Sequence, residues 1–327
     1  MTDQMQAQAR AEAPATPAKA PAPTKPAAGE RRHVLPDDLR LGAAHITVAD
    51  LDEAVPFYTH VLGLRQRERV TGDGGETTAS LTAGGDHDLV VLHEKPGARA
   101  VTRHSGLYHV ALLYPSRLEL ARVAQRIQHT GTPIQGASDH GISWAIYLPD
   151  PSGNGIELAA DQPPETWPDL SNVDSIAPRP LDLGGLFNLV GGREPEPDAD
   201  PATRIGHVHL HVGDIGQGLA FYRDIIGFDL VTHIPGVAAF VSAGGYHHHL
   251  GINTWQGRGA PPAPPDAAGL HHWNVVLPSG EDVAAVRARL AGAGHETADV
   301  GNGFEVRDPW NIAMRVVSSA VAHDRQG

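Results

Sequence analysis

Two histidines and a glutamate, His45, His109 and Glu157, offer this sequence its strongest chemistry. Glu157 ends the stretch HGISWAIYLPDPSGNGIE, residues 140–157. Its apolar run Ile142–Leu148 reads as a strand, the cluster Asp150–Gly155 as a tight turn, and Ile156-Glu157-Leu158 as the start of a second strand. Strand residues alternate faces, so Glu157 points away from Ile156 and Leu158. A carboxylate on the inner face of a sheet needs a cation, a hydrogen-bond network or a proton. His45 and His109 sit inside the apolar strands LGAAHITV and GLYHVALL. Two imidazoles and one carboxylate that converge form the facial set suited to non-haem Fe(II), with positions left open for reactants. Zinc accepts the same groups. For any one of the 20 histidines an exposed or hydrogen-bonded role is the default, and His33, His60, His104 and His129 read that way. His45 and His109 depart from it because they occupy matching places in a repeat.

The repeat supplies the elements that must position them. From Leu41 the chain reads as strand, helix and three strands, with Asp50 as helix N-cap, Val55, Tyr58 and Leu62 as an apolar stripe, and Gly63 as the stop. Pro56 falls late for a first-turn proline, which predicts a late start or a bend. The same order follows at once, with a helix over 117–129 and strands at PIQGAS, SWAIYLPD and GNGIELAA. After a Pro- and acid-rich connector with a short apolar helix near Leu181–Leu189, the arrangement returns. LGAAHITVADLDEAVPFYTHVLGL aligns without a gap on IGHVHLHVGDIGQGLAFYRDIIGF, 164 positions on. TAGGDHDL is echoed by SAGGYHHHL, GLYHVALLYPS by GLHHWNVVLPS, and Asp150-Pro151 by Asp308-Pro309.

The expected fold is therefore α+β: four βαβββ units paired into two homologous half-open barrel domains. The expected divisions are a disordered Ala/Pro-rich extension over 1–40, a catalytic paired domain over 41–160, a linker over 161–204, a structural paired domain over 205–318 and a tail over 319–327. If the first two units pair about a pseudo-twofold axis, His45, His109 and Glu157 converge.

Composition narrows the function. With 41% hydrophobic and 19% charged residues the chain reads as a soluble globular protein. A formal charge of −13 argues against nucleic-acid or anionic-membrane partners, which need basic patches. No apolar run approaches a membrane span, and the first residues lack a signal-like apolar region, so a cytoplasmic location is expected. Zero cysteines exclude disulfides, thiolate ligands and a cysteine nucleophile.

In the two-half plan and in His140, Ile146-Tyr147, Asp150-Pro151, Gly153 and Glu157, taken in that order, the sequence resembles the type I extradiol ring-cleaving dioxygenases of the vicinal oxygen chelate superfamily, nearest the catechol 2,3-dioxygenase-like branch. Ser138 stands where that signature usually has Gly, Asn, Thr or an aliphatic residue. The fold-level likeness covers about residues 41–318. The resemblance implies Fe(II), with Mn(II) as the alternative, on His45, His109 and Glu157. It further implies His87 as acid–base residue and His140 with Tyr147 as holders of the substrate oxygens. The implied partners are a small aromatic diol and O2, in a homo-oligomer. The family's usual metal-bearing half is the C-terminal one. Here that half keeps His209 and His272 but has Met314 or Arg315 at the glutamate position and Glu305 opposite Tyr147, so the N-terminal half is expected to work. His207, His209 and His211 share a strand face, and with His247–His249 they leave a residual second metal site as a lesser alternative. Two rivals share the fold. A glyoxalase- or isomerase-type enzyme wants a fourth protein ligand from HDLVVLHE, where Val90 or Val91 occupies the inward place and Glu94 is the one candidate. A metal-free binding protein of the bleomycin-resistance kind has no need of the three groups.

Overall fold

Alternation along the opening strand of each unit separates a face that packs on a helix from a face that lines a cup. In β1 (Arg40–Val48) the side chains of Ala44, Ile46 and Val48 are buried, while Ala43, His45 and Thr47 between them take the other face. The structure, a computed structural model, describes residues 34–85 and 87–319. The expected extension therefore falls, up to residue 33, outside the described residues, as does the tail beyond residue 319.

The first unit continues with α1 (Leu51–Pro56), β2 (Arg65–Thr71), β3 (Thr77–Thr82) and β4 (Val90–Glu94). The second comprises β5 (Gly106–Leu113), α2 (Arg117–Thr130), β6 (Gly136–Asp139), β7 (Ser143–Pro149) and β8 (Gly155–Asp161). The connector holds β9 (Arg179–Pro180) and α3 (Leu183–Asn188). Then come β10 (Arg204–His211), α4 (Ile215–Leu219), β11 (Asp229–Ile234), β12 (Ala238–Ser242) and β13 (Leu250–Asn253). The fourth unit has β14 (Gly269–Leu277), α5 (Gly280–Gly292), β15 (Ala298–Val300), β16 (Gly303–Arg307) and β17 (Ala313–Ser318).

Asp50 caps α1 by accepting from Asp52 N, so the helix does not start late. After Pro56 it widens into a π-helical turn, Phe57–Val61. The third unit widens in the same way over Ala220–Ile226, with Ala220 at the position of Pro56, so the proline is not the cause.

The strands form an α+β fold with two sheets, ordered β15-β16-β17-β14-β1-β4-β3-β2 and β11-β12-β13-β10-β5-β8-β7-β6-β9. The apolar cores follow the two halves of the sequence. One contains Ile46, Leu92, Leu112 and Leu158; the other contains Leu210, Ile252, Trp273 and Val316. The sheets do not follow the halves. β1 joins β14 antiparallel and β5 joins β10 antiparallel. Each cup is thus shared between the halves, and the first two units do not enclose one together. This pairing decides where the chemistry lies.

Candidate metal centre and active site

The turn DPSGNG fixes the strand that carries Glu157. Buried Asp150 accepts at Oδ1 from Ser152 N (2.9 Å) and Asn154 N (2.8 Å). At Oδ2 it accepts from Asn154 Nδ2 (2.9 Å) and from the hydroxyl of Tyr58 in the first unit (3.1 Å). Gly155 then starts β8, where any Cβ would collide with the carbonyl oxygen of Tyr108. Across the sheet, Glu157 pairs with Ala111 of β5 on one side and Tyr147 of β7 on the other, and Ala111 pairs with His207 of β10. Laterally paired residues share a face, so His207, Ala111, Glu157 and Tyr147 form one row across the cup. His109, two residues before Ala111, joins the same face.

Three side chains of this face meet. His109 Nε2 lies 2.9 Å from Glu157 Oε2, His207 Nε2 lies 3.1 Å from the same oxygen, and the two imidazole nitrogens are 3.1 Å apart. All three residues are buried. Burial pushes the Glu157 carboxyl up, but the neighbouring His207 and His109 imidazoles outweigh it and hold the carboxyl well below its usual range. Burial pushes the His109 imidazole down, against the pull of Glu157. The carboxylate is therefore anionic, and burial favours the neutral form of His109. The three donor atoms lie close enough together to share one ion. These are the residues that could hold a divalent metal.

His45 does not join them. It lies in the other sheet, cross-strand from His272, with the two rings stacked at 3.7 Å and its Nδ1 2.9 Å from His93 Nε2. The strand neighbour of His109 is β10, and β10 supplies His207 in place of His45. The repeat equivalent of His45 is His209, whose Nε2 takes the Asn253 amide at 3.0 Å. The half expected to be structural thus contributes to the centre.

A cavity of about 350 Å³ opens on the three groups. His140 and Tyr147 line it, with Tyr147 Oη 2.8 Å from His140 Nε2. Burial and the charge of Glu157 hold the Tyr147 phenol well above its usual range, so it remains a donor. His87 does not reach the cavity. It is exposed in the turn before β4 and borders a different cleft. The matching turn of the repeat reads Tyr246-His247-His248-His249, and His248 lines the cavity with its ring 4.1 Å from that of His207. His248 Nδ1 lies 2.8 Å from His247 Nδ1, and His247 Nε2 lies 2.9 Å from Asp161 Oδ1. Burial, reinforced by His207 and His247, pushes the His248 imidazole well down. The signal for His207 and His248 was present in the runs HVHLH and YHHH, but the repeat pointed to neighbouring or opposite residues.

Apolar groups complete the cavity. Phe240 and Trp255 come from the second half, and Leu170, Ile176 and Pro178 reach over from the connector. The hydroxyl of Thr232 donates to Leu170 O at 2.5 Å and ties the connector down. A fourth ligand from β4 is excluded by placement, since Glu94 accepts from Leu51 N at 2.9 Å in the other sheet. The matching position beside this centre is Gly251, where a Cβ would come within 2.9 Å of the His209 ring.

The profile of the Glyoxalase/Bleomycin resistance protein/Dioxygenase superfamily matches residues 40–158 and 204–314. A catechol-2,3-dioxygenase of Bacillus subtilis (strain 168) is 41% identical over 277 residues, spanning 84% of this chain and 95% of that protein. A solved structure from Bacillus subtilis subsp. subtilis str. 168 aligns with TM-score 0.60 and 19% identity, covering 86% of this chain and 87% of that one. Glyoxalase I from Zea mays aligns with TM-score 0.55 and 18% identity, covering 86% and 92%. At those identities the two structures speak for the fold. The chain belongs to the glyoxalase/bleomycin resistance protein/dioxygenase superfamily, with its vicinal oxygen chelate fold. Within it, the chain stands in the catechol 2,3-dioxygenase-like branch.

Proposed function

We propose that this protein is an Fe(II)-dependent extradiol dioxygenase that opens a catechol-type ring beside its two hydroxyls, with His109, His207 and Glu157 holding the iron. The observation that carries the reading is the meeting of two imidazoles and one carboxylate within 3.1 Å of one another on the floor of the cavity. When bound, the iron holds both reactants on one centre and lets charge pass between them.

The remaining steps fall to the protein's own groups. His248, kept neutral, takes a proton from a substrate hydroxyl and later returns it. His247 and Asp161 orient its ring through Nδ1. Tyr147 donates to a substrate oxygen, and His140 holds the Tyr147 hydroxyl in place. Trp255, Phe240 and Leu170 wall the ring and keep water out. Among the described residues no Lys or Arg lines the cavity, which suits a ring without an anionic substituent. A glyoxalase-type reading is disfavoured by Gly251, which leaves the fourth ligand's place without a side chain.

The test is anaerobic Fe(II) loading, then catechol, then air. A yellow ring-opened product with one O2 consumed per catechol supports the reading. Iron-loaded protein that consumes no O2 with catechol, and isomerises a thiohemiacetal instead, refutes it.

A further inference from the structure

The cup of the other sheet carries no copy of this centre. Its counterpart of Glu157 is Arg315, which pairs with Asn274 and Glu305 as Glu157 pairs with Ala111 and Tyr147. Arg315 Nε is tied to Glu305 Oε2 at 3.0 Å. Toward the rim, however, four imidazoles from three strands gather with a carboxylate from the β2–β3 turn. His93 of β4 stacks on His271 of β14 at 4.1 Å with the rings nearly parallel, and Glu76 stands before β3 with Oε1 2.8 Å from His93 Nδ1. Behind them, His45 Nδ1 lies 2.9 Å from His93 Nε2, and His272 Nδ1 lies 2.8 Å from His271 Nδ1.

We propose that Glu76, His93 and His271 form a second divalent-cation site, of the zinc type, separate from the iron centre. One donor atom from each lies within 4.8 Å of the other two, so a small movement of the exposed Glu76 and His271 side chains closes them with His93 on one ion. Imidazole and carboxylate are the donors that zinc takes, with water completing the shell. A ligating histidine usually gives its second nitrogen to a hydrogen-bond partner that fixes the ring. His93 and His271 each have that partner, in His45 and His272. His272, 1% exposed and stacked on His45, backs the His271 ring through its Nδ1. The opposing charge, Arg315, is largely spent on Glu305.

The site is not a relic of the iron centre. By register, His93 and His271 take the places held in the other sheet by Asn253 and Tyr108, neither of which belongs to the triad. An ion here would clip the β2–β3 hairpin and β4 to β14, across the junction of the two halves.

The test is calorimetric titration of Zn(II) into the tagless, chelator-stripped full chain. Wild type is expected to bind two equivalents, Glu157→Ala one, and Glu157→Ala combined with Glu76→Gln and His271→Ala none above background. Glu76 and His271 are exposed, so these changes spare the packing. In the Glu157→Ala background, Zn(II) should also raise the melting temperature, and Glu76→Gln should abolish that rise. The Fe(II)-loaded Glu76→Gln, His271→Ala protein should keep its ring-cleavage rate. A single equivalent in wild type that vanishes with Glu157→Ala overturns the second site and leaves the iron centre standing. Retention of the second equivalent in the triple variant overturns it as well.

Discussion

Arg315 occupies in one sheet the place that Glu157 occupies in the other. Each lies on the closing strand of its unit, flanked by the opening strand on one side and an antiparallel neighbour on the other. A guanidinium cannot ligate a cation, because it has donors only. Of two cups built on the same plan, one therefore carries a candidate metal-ligand set at this place and the other does not.

Replacing His248 tests the assignment of the acid–base group. His248→Asn should lower kcat by about 10²–10⁴-fold, the usual scale for general acid–base catalysis, with iron content preserved. His87→Ala should leave the rate unchanged, since His87 is exposed away from the cavity. Steady-state oxygen uptake on both variants checks the pair.

Removing the Tyr147 hydroxyl tests substrate positioning. Tyr147→Phe deletes the contact with His140 Nε2 and a donor to substrate. One hydrogen bond of about 1–1.5 kcal/mol corresponds to roughly a tenfold fall in kcat/KM. Melting temperature should change little by comparison. A variant that matches wild type in kcat/KM would remove Tyr147 from the site.

Asp308, the counterpart of Asp150, gives a pH-dependent prediction. Burial raises its carboxyl to about 6, against the hydrogen bonds from Ile312 N, Tyr222 and Trp310 N. An acid with a raised folded-state value contributes stability that is present below the unfolded value, near 4, and lost as pH rises through about 6. Asp308→Asn cannot titrate, so its stability relative to wild type should improve between pH 4 and pH 7. The upper bound is about 3 kcal/mol, at 1.36 kcal/mol per pKa unit. Denaturant melts of both proteins across that range read the difference directly. A flat difference would contradict the assignment.

Much of the architecture was legible in the residues themselves. Alternation gave the strands, Asp50 marks a helix start, and the 164-residue offset exposed the paired units. Glu157, His109, His140 and Tyr147 were within reach because one continuous unit carries all four. His207 was not, because β10 pairs with β5 across nearly a hundred residues, and local pattern says nothing of which strand will complete a ladder. The repeat misled in a specific way. It equated His45 with His209, whereas the imidazole that meets Glu157 belongs to the neighbour two places earlier, whose counterpart is Ala43. Register shifts on both sides of His207 and His209, with Gly251 making room for the His209 ring, decide which imidazole reaches Glu157. For His248, a one-residue insertion in SAGGYHHHL relative to TAGGDHDL blurred the match.

The most direct measurement compares His207→Ala with His45→Ala for bound iron and for Fe(II)-dependent oxygen uptake with catechol. His207→Ala should lose tight iron retention and lower turnover by more than about a hundredfold, beyond the loss of a merely supporting group. His45→Ala should keep both close to wild type. Iron and activity retained without His207 but lost without His45 would contradict the centre drawn from His109, His207 and Glu157.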